Sequence, residues 1–111
     1  MDSKVFEKAL DIIKAHNSII IHRHSNPDGD ALGSQYGLYR IIKDNYPEKE
    51  VYMTGDESSR YGFIAKMDRL EDSLFPKSLS ILLDTSSPSL ISDERWRSAK
   101  DTLRFDHHLF I

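Results

Sequence analysis

The chain has 111 residues, enough for one domain with a genuine core and too few for two ordinary catalytic lobes. Fifteen Lys and Arg against eighteen Asp and Glu leave a net charge of −3, which excludes a global positive field drawing the protein onto nucleic acid or an anionic membrane. Cysteine is absent, so disulfides, thiolate zinc sites and a Cys nucleophile are excluded while carboxylate and imidazole metal chemistry stays open.

Met1-Asp2-Ser3-Lys4 does not begin a charged-then-apolar leader, and no apolar run approaches the roughly 20 residues that span a bilayer. A cytoplasmic protein with no membrane partner is expected. From Ser3 to His16 the residues Val5, Phe6, Ala9, Leu10, Ile12 and Ile13 recur at helical spacing, with Lys4, Glu7, Lys8, Asp11 and Lys14 on the other face. That pattern predicts an amphipathic helix, and His16 is placed to help terminate it against the negative end of its dipole. After Asn17-Ser18, the run Ile19-Ile20-Ile21-His22-Arg23 predicts a strand covered on both faces, with His22 packed and hydrogen-bonded rather than metal-bound.

Ser25-Asn26-Pro27-Asp28-Gly29 predicts a turn, after which Asp30 can cap a second helix. Leu32, Gln35, Tyr36, Tyr39 and Ile42 give that helix its apolar spacing, Ala31, Leu38 and Ile41 widen the face, and Asn45-Tyr46-Pro47 stops it. A short strand near Glu50–Met53 and a short helix near Tyr61–Met67 follow. Leu79–Leu83 predicts a second buried strand ending at Asp84, and Thr85-Ser86-Ser87-Pro88-Ser89 a loop. Ser92–Trp96 opens a modest helix, and Leu103-Arg104-Phe105 predicts a last strand running into Asp106. Strands alternating with helices place the chain in the α/β class, with a mainly parallel sheet flanked by helices and its site beyond the carboxyl ends of the strands. The strand order stays open.

Three apolar runs thus deliver His24, Asp84 and Asp106-His107-His108 at their carboxyl ends, and His24 is followed by Asp28 and Asp30. Singly, each has a plain reading: a surface histidine, an Asp-Gly turn, a helix cap. Together, carboxylates and imidazoles suit Mn²⁺, Mg²⁺, Fe²⁺ or Zn²⁺. Two such ions about 3.5–4 Å apart can share a bridging carboxylate and orient a phosphate for in-line attack. Asp84, alone at a strand end, suits the bridge; His24 with Asp28 could hold one ion and Asp30 with His107 the other. Arg23, Arg40, Arg60 and Lys66 are dispersed in sequence and form no evident phosphate clamp, and Tyr36 and Tyr39 read as core or rim residues.

In its motifs His24-Ser-Asn-Pro-Asp28-Gly-Asp30-Ala-Leu-Gly33-Ser34, Leu82-Leu83-Asp84-Thr85 and Asp106-His107-His108, the sequence resembles the DHH phosphoesterase family, and most resembles its oligoribonuclease and pAp phosphatase branch. The resemblance implies a Rossmann-like domain. It also implies two Mn²⁺ ions, with Mg²⁺ as the alternative, held by His24 and Asp28, by Asp30 and His107, and bridged by Asp84. His108 would contact the substrate phosphate, Asp106 would support the histidine pair, and a hydroxide bridging the metals would attack. Short oligonucleotides and 3′-phosphorylated nucleotides are the implied substrates; pyrophosphatases and cyclic-dinucleotide phosphodiesterases share related motifs. Family members continue past the histidine pair to a further Asp and a substrate-clamping lobe, which Leu109-Phe110-Ile111 does not supply. Residues 1–111 are therefore expected to be the N-terminal part of a longer enzyme, inactive alone. The alternatives are a non-catalytic metal- or nucleotide-binding module, or a fragment that self-associates through an exposed sheet edge.

Overall fold

A computed structural model describes residues 3–23, 29–55, 67–83, 91 and 93–105. Its chain order is α1 (Ser3–Lys14), β1 (Ser18–His22), α2 (Gly29–Asn45), β2 (Glu50–Met53), a 3-10 helix (Asp72–Lys77), β3 (Leu79–Leu83), a second 3-10 helix (Glu94–Ser98) and β4 (Asp101–Phe105). The four strands form one sheet in the order β2-β1-β3-β4, and every neighbouring pair is parallel. This is a Rossmann-like α/β arrangement, as the alternation of strand and helix signals predicts.

Alternation along the strands sorts their side chains onto two faces. Ile19 and Ile21 of β1, Val51 of β2 and Leu79, Ile81 and Leu83 of β3 share one face, where they form a core with Ala9 and Ile13 of α1 and Ile42 of α2. Each Ile, Leu or Val side chain among them contributes about 1.5–3 kcal/mol by leaving water. The two inner strands, β1 and β3, are buried at every position, which accounts for their unbroken apolar runs. At the edge, β2 alternates, and Asp68 covers its open side: its N–H donates to Met53 O at 2.8 Å and its Oδ2 accepts from Met53 N at 2.9 Å. A strand edge tied up in this way is a poorer template for a second chain.

The two 3-10 helices cover the other face. Phe75, fully buried, sets its ring 5.9 Å from that of His22, and the guanidinium of Arg95 lies 4.4 Å from the same Phe75 ring. Beneath them runs a polar seam: Ser18 Oγ and Ser78 Oγ are 2.7 Å apart, and His22 Nε2 shares a hydrogen bond with Ser80 Oγ at 2.9 Å. His22 is packed and hydrogen-bonded, as expected.

Several local expectations change. The helix signalled at Ser92–Trp96 is a 3-10 helix over Glu94–Ser98, capped by the Asp93 carboxylate, which accepts from Arg95 N at 3.0 Å. The 3-10 helix at Asp72–Lys77 has no sequence signal, since six residues are too few to show a period and Pro76 argues against a helix interior. α2 starts at Gly29, so Asp30 lies inside its first turn rather than capping it. Ile41 is 61% exposed and Tyr36 38%. The buried side of α2 runs through Gln35, Leu38, Tyr39 and Ile42, and at 3.6 residues per turn Ile41 sits about 100° around the helix from Ile42. β4 begins two residues earlier than its apolar signal, at Asp101. The helix expected near Tyr61–Met67 falls, except for Met67, outside the described residues.

α1 ends as its sequence suggests, with His16 Nδ1 donating to Ile12 O at 2.7 Å, and His16 Nε2 lies 2.8 Å from Asp101 Oδ2. Its last carbonyls are also met by a residue the sequence did not single out. Lys49, 5% exposed, donates from Nζ to Lys14 O at 3.1 Å and to His16 O at 2.7 Å. A cation at a helix carboxyl end satisfies both the free carbonyls and the dipole. No helix among the described residues is long and apolar enough to cross a membrane.

Candidate active site

Because all four strands are parallel, their carboxyl ends lie along one edge of the sheet. From β1 the chain crosses to β2 on one side and then returns past β1 to β3 on the other, so a topological switch point falls between β1 and β3, where open α/β sheets hold their ligands. In register, His22 of β1 sits opposite Leu82 of β3, and Leu83 of β3 opposite Phe105 of β4. The strands leading to the three motifs are thus immediate neighbours, with β3 in the middle. At the usual spacing of about 4.8 Å between strands, the ends of β1 and β4 are separated by roughly 10 Å.

His24, Asp28, Asp84, Asp106, His107 and His108 themselves lie outside the described residues. Asp30 is described only as backbone, within the first turn of α2. Among the described residues no group of three His, Asp or Glu side chains could hold a metal ion. In composition, the expected donor set, two imidazoles and three carboxylates without thiolate, fits Mn²⁺ or Mg²⁺.

The described part of this edge contains groups that sequence reasoning did not pick out as functional. Arg23, directly after β1 and directly before His24, is only 1% exposed. Its guanidinium rests on Gly55, just past β2: a Cβ there would stand 2.9 Å from Arg23 Cζ and 3.0 Å from Nη1, and Gly55 has φ 147°. The backbone angle favours glycine, and any side chain there would have to displace the guanidinium. Gln35 of α2, fully buried, donates from Nε2 to Ile21 O at 2.8 Å and to Thr54 O at 3.1 Å, while Thr54 N also donates to Ile21 O at 3.1 Å. An apolar helical face reads as core in the sequence, and a glutamine within it is the one signal that could have marked this residue.

Beside Gly55 opens a cleft of about 800 Å³, lined among others by Thr54, Asp68, Arg69, Asp93 and Arg95. Asp93 and Arg95 form a two-pronged pair, Nε to Oδ1 at 3.0 Å and Nη2 to Oδ2 at 2.8 Å, and Thr54 Oγ1 also donates to Asp93 Oδ2. Arg95 Nη1 adds Leu70 O at 2.7 Å and Asp72 Oδ1 at 3.0 Å. Burial alone would push the Asp93 carboxyl up, but the hydrogen bonds from Arg95 and Thr54 and the Arg95 charge outweigh it and hold it at about 2. The hydrogen bond to Asp93, against some desolvation, pushes Arg95 above its ordinary range. This pair ties the second 3-10 helix to the end of β2. Both its charges are thereby committed to each other rather than to a ligand.

The model of the DHH family, N-terminal domain, matches residues 18–110. The chain belongs to the DHH family. Among curated proteins, it is 41% identical over 103 residues to the probable bifunctional oligoribonuclease and PAP phosphatase NrnA of Streptococcus mutans, covering 93% of this chain and 33% of that protein. It is 35% identical over 96 residues to the bifunctional oligoribonuclease and PAP phosphatase NrnA of Bacillus subtilis, covering 86% and 31%. A more distant relative is the cyclic-di-AMP phosphodiesterase GdpP of Geobacillus thermodenitrificans, 25% identical over 125 residues, covering 96% of this chain and 19% of that protein. The chain spans about a third of the length of the NrnA relatives.

Proposed function

We propose that this DHH chain carries the metal-binding part of a phosphohydrolase that cleaves phosphate esters of short oligonucleotides and of 3′-phosphorylated nucleotides such as pAp. Strand order carries the reading. With β3 between β1 and β4, the lone Asp84 follows the middle strand in sequence and the two histidine-bearing motifs follow its neighbours, an order that suits one carboxylate shared by two ions. The activities named for the Streptococcus and Bacillus relatives support the substrate class.

In this reading His24 and Asp28 would hold one ion, Asp30 and His107 the other, and Asp84 would be shared between the two sites. Two divalent ions, Mn²⁺ or else Mg²⁺, would supply an acidified water and the charge that offsets the phosphate. His108 would donate a hydrogen bond to a phosphoryl oxygen, holding the ester in line. Asp106 would accept a ring N–H from the histidine pair and so fix its tautomer and direction. To bind metal the imidazoles must be neutral and the carboxylates ionised, so affinity would fall as protons compete at acidic pH.

A protein continued past Ile111 tests the proposal when assayed with Mn²⁺ on the dinucleotide pApA, on pAp, on pyrophosphate and on cyclic di-AMP. The reading expects turnover of the first two and its loss on Asp84→Ala. No turnover of any substrate, or an active Asp84→Ala variant, would sink it. Turnover of pyrophosphate alone, or of the cyclic dinucleotide alone, would reassign the chain to another branch of the family.

A further inference from the structure

We infer that Gln35 is a positioning residue of the metal site, a clamp that sets the distance between the helix carrying Asp30 and the strand leading to His24. The inference rests on the proposed function, because it gives those two residues their meaning as ligands. Gln35 is fully buried, and its side-chain amide spans a three-way junction: α2 supplies the residue, β1 supplies Ile21 O at 2.8 Å, and the end of β2 supplies Thr54 O at 3.1 Å. Both contacts fall at the carboxyl edge of the sheet. Ile21 O also accepts from Thr54 N at 3.1 Å, so the amide reinforces the last rung between β1 and β2 while gripping α2.

The lever arm is short. Gln35 lies five residues, about 7.5 Å of helix axis, from Asp30. Ile21 is three residues from His24. No other hydrogen bond between side chain and backbone among the described residues ties α2 to β1. Two directed bonds fix a separation more sharply than apolar contacts do. Leu or Met would fill the volume but would take the donor away from the buried Ile21 and Thr54 carbonyls. The amide thus adds stability at this junction and also fixes the geometry between the segment that carries Asp30 and the segment that leads to His24. Groups that orient metal ligands from outside their shell typically change metal affinity by about 10–100-fold when removed.

The test titrates the chain with Mn²⁺ by calorimetry and compares Gln35→Met, which keeps the volume, with Ser78→Ala. Ser78 is an equally buried polar residue whose bonds to Ser18 and Leu74 lie at the opposite edge of the sheet. Gln35→Met is expected to weaken Mn²⁺ binding by about tenfold or more. Ser78→Ala should lower the melting temperature and leave the affinity unchanged. Linkage supplies a second readout in the wild type: if the clamp favours metal, metal must favour the clamp. Saturation with diamagnetic Mg²⁺ should therefore slow hydrogen exchange at the Gln35 side-chain amide, a measurement that needs no variant to fold. Unchanged affinity in Gln35→Met, an equal loss in Ser78→Ala, or unchanged amide exchange overturns the positioning role while the metal site stands. A wild-type chain that binds neither ion overturns both.

Discussion

His22 makes the fold acid-sensitive at a pH where carboxylates contribute little. Its ring has no exposed surface, and burial, partly opposed by the negative charge of Asp93, lowers its pKa from 6.5 to about 4. Between those values the unfolded chain binds a proton that the folded chain refuses. The stability from neutral His22 is therefore complete above about 6.5 and drains away as the pH falls toward 4. A shift of 6.5 − 4 = 2.5 units corresponds to about 3.4 kcal/mol at roughly 1.4 kcal/mol per unit, of which about 2 kcal/mol is lost between pH 7 and pH 5. That is a large share of the roughly 5–15 kcal/mol by which domains are stable. Asp93, held at about 2, adds its own loss only below its ordinary 3.8, so the two windows do not overlap. Urea unfolding at pH 7 and pH 5 should show this loss in the wild type and much less of it in His22→Gln, which can still bond Ser80 but has no proton to gain. Equal pH dependence in the two proteins, or a His22 ring titrating near 6.5 by NMR, would refute the reasoning.

Lys49→Met should cost about 1.5–3 kcal/mol, because it removes two charge-assisted bonds and strands the carbonyls of Lys14 and His16; thermal melts check it, and an unchanged melting temperature contradicts it. Gly55→Ala should cost about 1–3 kcal/mol from backbone strain alone, and its methyl group must displace the Arg23 guanidinium. Denaturant midpoints measure the cost, and the reasoning fails if Gly55→Ala is as stable as the wild type.

Periodicity made the scaffold legible. Ile19–Ile21 and Leu79–Leu83 could be read as doubly covered strands because burial at every position leaves no room for polar alternation. The order β2-β1-β3-β4 could not be read, since it depends on which strands meet across the sheet rather than on any local pattern. The 3-10 helix at Asp72–Lys77 stayed hidden because its only strong local requirement is a place for Phe75 over the sheet. At the site the division runs the other way. The ligand candidates announced themselves as chemistry out of keeping with a core, from His24 to His108. The residues that organise the edge did not: Gln35 sits within an apolar helical pattern, Arg23 looks like the polar end of a strand, and Gly55 shows its purpose only when the guanidinium against it is seen.

Crystals of the chain grown with Mn²⁺ and measured at the manganese absorption edge test the central claim most directly. The account predicts two anomalous peaks about 3.5–4 Å apart beyond the carboxyl ends of β1, β3 and β4, with Asp84 between them. Peaks at the opposite edge of the sheet, or none at saturating Mn²⁺, would contradict it.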